Sequence, residues 1–184
     1  QSIISSTNLD KKNLDLLIDK VVDMAKFVPK DKYCGLAKEK QIFDKESDDL
    51  KKLDQFDSFT PSQDDIEDSV LLLENSALEN KRITNSEGAE IACTKNNFLL
   101  MASNGLTQEF KKTHSDYIIA VLAENSKSME REYDYKSKVF FKDLGDFKKI
   151  GKKVSKKAVK KLNSKKVKTC KVNVIFDSRV SSSL

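Results

Sequence analysis

Between residues 14 and 28 the apolar positions Leu14, Leu17, Ile18, Val21, Val22, Ala25 and Val28 recur three and four apart. That spacing gathers side chains on one face of a helix. Asp10 precedes it with a carboxylate able to accept the free amides of a first turn, and Pro29 pushes residue 28 out of the α region. A surface helix lying on a core is expected. A second helical period follows Thr60-Pro61-Ser62, with Ile66, Val70, Leu73, Ala77 and Leu78 on its inner face. Thr60 or Ser62 caps it, Pro61 sits near its first position, and Asp64, Asp65, Glu67 and Asp68 favour its positive end. A third helix is predicted over 143–163, with Phe147, Ile150, Gly151, Val154, Ala158 and Leu162 inside.

After Lys81 the period falls to two. Strands are predicted over 83–94, 97–103, 107–113, 116–124 and 129–140, with turns at Lys95-Asn96-Asn97, Asn104-Gly105 and Asn125-Ser126. Asn104 and Gly105 both tolerate the positive φ of a two-residue type I′ hairpin. In "REYDYKSKVF", Tyr133, Tyr135 and Val139 share one side. Further strands are expected at 1–6 and 168–176, and a helix begins at 177. Residues 30–60 read as an extended segment with one helical turn, pinned by Phe43, Leu50, Leu53, Phe56 and Phe59. The fold class expected is α+β: a largely antiparallel sheet packed with three amphipathic helices.

In "RITNSEGAE" (82–90), Ile83 and Ile91 anchor a strand, and Asn85, Ser86, Glu87 and Gly88 make a bulge or bend that Gly88 permits. A second reading of the same four residues is a peptide or subunit contact through exposed amides and Glu87.

The net charge of +5 hides an asymmetry. Residues 142–171 hold 13 of the 34 basic residues but only Asp143 and Asp146 of the 29 acidic ones, so the rest carries 21 basic against 27 acidic. Lys148, Lys149, Lys152, Lys153, Lys156, Lys157, Lys160 and Lys161 fall in pairs opposite the apolar face of the third helix. They form a solvated face whose stems run along the apolar margin. No aromatic residue or Arg interleaves with them, which weighs against nucleic acid. An anion- or nucleic-acid-binding module using 148–161 is the alternative function class.

Apolar runs such as 117–123 are too short for a bilayer, so no membrane partner is expected. No basic segment precedes an apolar one in the manner of a secretory signal, and without an initiator Met the chain reads as a piece of something longer. Cys34, Cys93 and Cys170 are odd in number and far apart, which excludes a disulfide framework or CxxC pair; buried, reduced thiols are expected. A single His, His114, rules out HExxH, and no GxSxG, Walker A or GxGxxG motif occurs. The residues supply no catalytic set.

In order along the chain, several stretches resemble the TldD/PmbA peptidase family, in its PmbA (TldE) branch. "ITNSEGAE" is similar to a pattern of the family's central region, and "DKYCGLA" (31–37) to its "DPYAGLA" turn. "SSTNLDKKNLD" resembles the strand, turn and first helix that close its N-terminal domain. "NFLLMASNGLTQEFKKTHSDY" resembles its strand–NG–strand hairpin, and "MEREYDYKSKVFFKDLGDFKKIGKKVSKKAVKKL" its charged strand and basic helix. "KKVKTCKVNVIFDSRVSSSL" resembles the opening of its C-terminal domain. The Lys-rich helix departs from the Arg/Glu mixture of the family.

The resemblance implies a division into 1–28, the end of an N-terminal domain; 29–165, a central domain; and 166–184, the start of a C-terminal domain. It implies a cytoplasmic PmbA-type subunit, a TldD-type catalytic partner, and small peptides as substrate of the pair. Zinc, with its HExxxH helix, belongs to the TldD-type subunit, so no cofactor and no catalytic or metal residue is expected in this chain.

Overall fold

The computed structural model describes residues 1–42 and 53–181; Phe43, Leu50 and the last three residues of the helix expected from 177 lie outside them. The chain divides into two compact units, Gln1–Leu53 with Phe98–Phe110, and Asp54–Asn97 with Lys111–Leu184.

The second unit holds the core. Helix α2, Gln63–Leu78, starts at Ser62, whose hydroxyl accepts the Asp65 amide while the Asp65 carboxylate accepts the Ser62 amide. Each side chain thus satisfies an amide that the first turn leaves open. A three-stranded sheet follows in the order β1-β2-β3: Ile83–Met101, Thr107–Glu124 and Met129–Lys138. β2 and β3 pair antiparallel from Ser115 opposite Lys138 to Glu124 opposite Met129. The Asn125 carboxamide oxygen closes their turn by accepting the amides of Lys127 and Ser128. A 3-10 turn, Phe141–Leu144, leads into α3, Phe147–Lys161, capped by Asp146 accepting the Lys149 amide. α3 packs on α2 and β3. Leu73, Ala77, Tyr117, Ile119, Val121, Phe147, Val154 and Ala158 form the buried centre, with Ile83 and Ile91 at its β1 margin. The inner face expected of the third helix is the buried one, although Ile150 is only partly covered; of the second helix, Leu78 is exposed.

The first unit contains α1, Lys11–Phe27, none of whose residues is buried. The helix expected there is present but does not lie on a core: of its apolar positions only Leu17 and Val21 are partly covered, and Leu14, Ile18 and Val22 are exposed. Asp10 does not cap α1 with its side chain; instead its amide donates to Asn8 Oδ1. A 3-10 turn spans Glu39–Gln41.

Other expectations are corrected. The four strands foreseen between 83 and 124 are two long ones, and Lys95-Asn96-Asn97 continues β1 instead of turning. The hairpin loop has three residues, not two. Gly105 N donates to the Ala102 carbonyl and Ala102 N to the Leu106 carbonyl, and of Asn104 and Gly105 only Gly105 takes a positive φ, +91°. That is the type I turn with a bulged Gly. Residues 1–6 and 168–176 form no strand: β-branched side chains make extended backbone favourable, but a strand exists only where a ladder partner does. Cys34, Cys93 and Cys170 are free, as expected, but exposed rather than buried. Cys93 lies in β1, and the other two lie outside regular elements. Among the described residues no helix is long and apolar enough to cross a membrane.

Candidate functional site

The segment Asn85–Gly88 lies in the first half of β1, and its polar groups are occupied locally. The Ser86 amide donates to Asn85 Oδ1 at 2.9 Å, and the Gly88 amide donates to Ser86 Oγ at 3.0 Å. Gly88 has φ +110°, which leaves the strand bent at this point. Short polar side chains that bond neighbouring amides compete with a ladder. These two amides are therefore engaged before any peptide arrives.

Glu87 reaches across the sheet to Arg131 on β3. Arg131 Nε donates to both carboxylate oxygens, at 2.8 and 3.0 Å, and a terminal nitrogen donates at 2.7 Å. This two-pronged pairing holds the Glu87 carboxyl below its ordinary value and raises the guanidinium above its own. The Arg131 guanidinium also lies 5.4 Å over the Tyr133 ring, and Tyr133 stacks on Tyr135 with centroids 6.1 Å apart. Opposite these three, β2 presents Leu122, Ala120 and Ile118. One sheet face therefore displays an ion pair and two half-exposed tyrosines. It can make contacts, but it holds no nucleophile.

Sequence reasoning did not find Arg131. A signal existed: only Arg82, Arg131 and Arg179 are arginines in a chain otherwise basic through Lys. Arg is the residue suited to two-pronged carboxylate pairing.

The His114 ring is half exposed in the middle of β2, not at a strand end. Ser137 Oγ lies 3.3 Å from its Nδ1 and 3.1 Å from its Nε2, and Asp116 Oδ1 lies 3.3 Å from Nε2. A nucleophilic triad needs the serine and the carboxylate on different ring nitrogens, so that one takes a proton while the other orients the ring. Here Ser137 Oγ sits between the two nitrogens, off the lone-pair direction of either, and on an open surface. A zinc ion fares no better, because among the described residues no three of His, Cys, Asp or Glu come together to hold a metal. The described residues do not fit a catalytic zinc.

The lysines of α3 are partly engaged. Lys152 pairs with Glu79 at 2.9 Å, Lys153 with the buried Asp134 at 3.3 Å, and Lys161 with Glu132. These three lysines thus tie α3 to α2 and β3.

The sequence pattern described as "PmbA/TldA metallopeptidase central domain" matches residues 56–162. Curated relatives include the "Metalloprotease PmbA homolog" of Buchnera aphidicola subsp. Acyrthosiphon pisum, 28% identical over 186 residues, and "Metalloprotease PmbA" of Escherichia coli O157:H7, 29% identical over 182 residues. The matches cover 97% and 98% of this chain but only 39% of each relative's length. The fold is shared with a putative modulator of DNA gyrase from Bacteroides thetaiotaomicron, at a TM-score of 0.79 and 24% identity over 90% of this chain and 38% of that one. It is also shared with TldE from Thermococcus kodakarensis, at 0.58 and 14% over 88% of this chain and 34% of that one. With more than half of its residues matched by the central-domain pattern, and PmbA-like sequence running almost end to end, the chain belongs to the PmbA/TldD metallopeptidase family.

Proposed function

We propose that the chain is a non-catalytic portion of a PmbA (TldE)-type subunit in a cytoplasmic TldD/PmbA peptidase complex acting on small or unfolded peptides. The observation that carries this reading is the near end-to-end similarity to PmbA metalloproteases. In this reading residues 1–28 close an N-terminal domain, 29–165 make the central domain and 166–184 open a C-terminal one. The absence of any metal-holding cluster among the described residues supports assigning zinc chemistry to a TldD-type partner. The Tyr133–Tyr135 face and the Glu87–Arg131 pair supply shape and contacts rather than chemistry, because tyrosine and arginine anchor interfaces well.

The test is reconstitution with a TldD-type subunit. The expected result is co-elution of the two proteins on gel filtration and a peptide-hydrolysis rate, abolished by chelator, that this chain increases. Separate elution together with an unchanged rate overturns the reading.

The lysine helix as a nucleic-acid site is the second reading. The pairing of Lys152, Lys153 and Lys161 with acidic residues weakens it, since those charges are already matched.

A further inference from the structure

We propose that the groove between α3 and β3 is a carboxylate-binding site for an acidic peptide segment, with Lys136 and Lys157 as its cationic contacts. The proposal rests on the peptide reading above and names a site for it.

The groove has a volume of about 670 Å³, within the range of ligand pockets. Tyr117, Leu144 and Ile150 give it an apolar lining, and Lys149, Lys153 and Lys157 stand four residues apart along its helical wall. The charges along it are matched unevenly. Lys153 is neutralised by Asp134, and Lys149 lies 3.5 Å from Asp146, the helix cap. The groove's other acid, Asp177, is engaged in an interaction of its own. Lys136 and Lys157 differ from Lys149 and Lys153. The Lys136 ammonium donates to the carbonyl oxygens of Asp143, at 2.6 Å, and Leu144, at 3.1 Å. These are neutral acceptors, and an ammonium has three protons, so one donor remains. Lys157 is half buried and makes no hydrogen bond or ion pair among the described residues.

Two half-buried ammonium groups, Lys136 from β3 and Lys157 from α3, face the groove without a carboxylate partner among the described residues. Partial burial makes an unmatched charge costly, and an arriving anion relieves that cost. A lysine ammonium is a point charge with rotatable donors, able to take a single carboxylate without the fixed geometry that Arg imposes. An acidic side chain on an extended peptide has that charge and reach. The flanking Ile150 would cover its apolar stem.

The experiment uses the 184-residue chain and fluorescence anisotropy of a labelled, terminally capped Glu-rich peptide, beside its Gln counterpart. The Glu peptide should bind more tightly, and its affinity should fall as salt rises. Lys157→Gln should weaken it about fivefold, as loss of one partly screened charge contact does. Lys160→Gln, which removes the same charge from the same helix outside the groove, should leave binding unchanged. The proposal fails if the Gln peptide binds equally, if neither peptide binds, or if the two lysine variants lose affinity alike. Displacement by millimolar phosphate but not by acetate overturns the carboxylate assignment, and tighter binding of a duplex oligonucleotide overturns the peptide. Co-elution with a TldD-type subunit does not depend on any of these outcomes, so the wider reading stands or falls separately.

Discussion

Gly151 of α3 lies so close to α2 that a Cβ added to it would fall 2.0 Å from Ser76 Oγ and 2.3 Å from the Leu73 carbonyl oxygen. The two helices meet backbone to backbone at this point. Gly151→Ala is therefore expected to destabilise the protein by roughly 1–3 kcal/mol, the usual cost of overpacking a close contact, despite the better helix propensity of Ala. Ser76→Ala in the same chain should rescue little, because the Leu73 carbonyl remains in the way. Urea unfolding of the two variants checks this; a Gly151→Ala protein as stable as the parent would show that the helices can part freely.

The lysines of α3 should separate into two classes by stability. Lys160→Gln alters a solvated charge and should change stability by less than about 0.5 kcal/mol. Lys153→Gln removes a partner of Asp134, whose side chain is only 4% exposed, and should cost about 1–2 kcal/mol, less than for a fully buried pair because Lys153 itself is half exposed. Val154→Asp places an unpaired charge at a position with no exposure and should cost about 4 kcal/mol or more, enough to unfold a marginal domain. Equal melting temperatures for Lys160→Gln and Lys153→Gln would remove the distinction between the classes.

These residues show how far the sequence could be read. Val154, Ala158 and Phe147 were legible because a 3.6-residue period is a property of the chain itself. Gly151 was assigned to the right face, but its reason, a neighbouring backbone at contact distance, belongs to another helix. The pairing of Lys153 with Asp134 and of Glu87 with Arg131 was invisible for the same cause: each joins residues from different elements, 19 and 44 positions apart. The hairpin was found but its loop misjudged, since Asn-Gly suits both a two-residue type I′ turn and the last two positions of a three-residue loop. Here Asn104 keeps a negative φ, and its side chain donates to the Ala37 carbonyl, 67 residues away. Local chemistry set the elements, and distant contacts chose among their variants.

Acid should weaken the fold below the ordinary carboxylate range. Arg131 holds Glu87 below its ordinary 4.5, and Lys152 does so for Glu79; the Ser62 hydroxyl and amide hold Asp65, and the Lys149 amide holds Asp146, below 3.8. In each case the folded value is depressed, so the stabilisation is fully present above the unfolded value and is lost as pH falls through the folded one. Stability should be level from pH 7 to about 5 and decline below about 4.5. Glu87→Gln should shave a small part from that acid limb, small because both partners are exposed and screened. Urea midpoints measured at successive pH values check it; an acid limb unchanged in Glu87→Gln would show that the pair contributes nothing.

The chain by itself is expected to hold no catalytic zinc and to cleave no peptide. Such a zinc takes about three protein ligands converging on one point, with a fourth position open for water whose proton the metal makes labile. His114, the one His, has Ser137 and Asp116 beside it, a hydroxyl and a single carboxylate on an open strand surface. Cys34, Cys93 and Cys170 lie far from one another in sequence, and among the described residues no three metal-binding side chains converge. Peptide cleavage without a metal would need an activated nucleophile, and Ser137 Oγ, spread between both ring nitrogens of an exposed His114, makes no well-aimed bond through which the base could take its proton. The measurement is metal content by atomic absorption after dialysis against zinc and back into buffer, paired with cleavage of an unstructured peptide with and without chelator. Sub-stoichiometric zinc and no turnover are expected. One zinc per chain with chelator-sensitive turnover would place the chemistry in this chain after all, and loss of both in His114→Ala would then identify its first ligand.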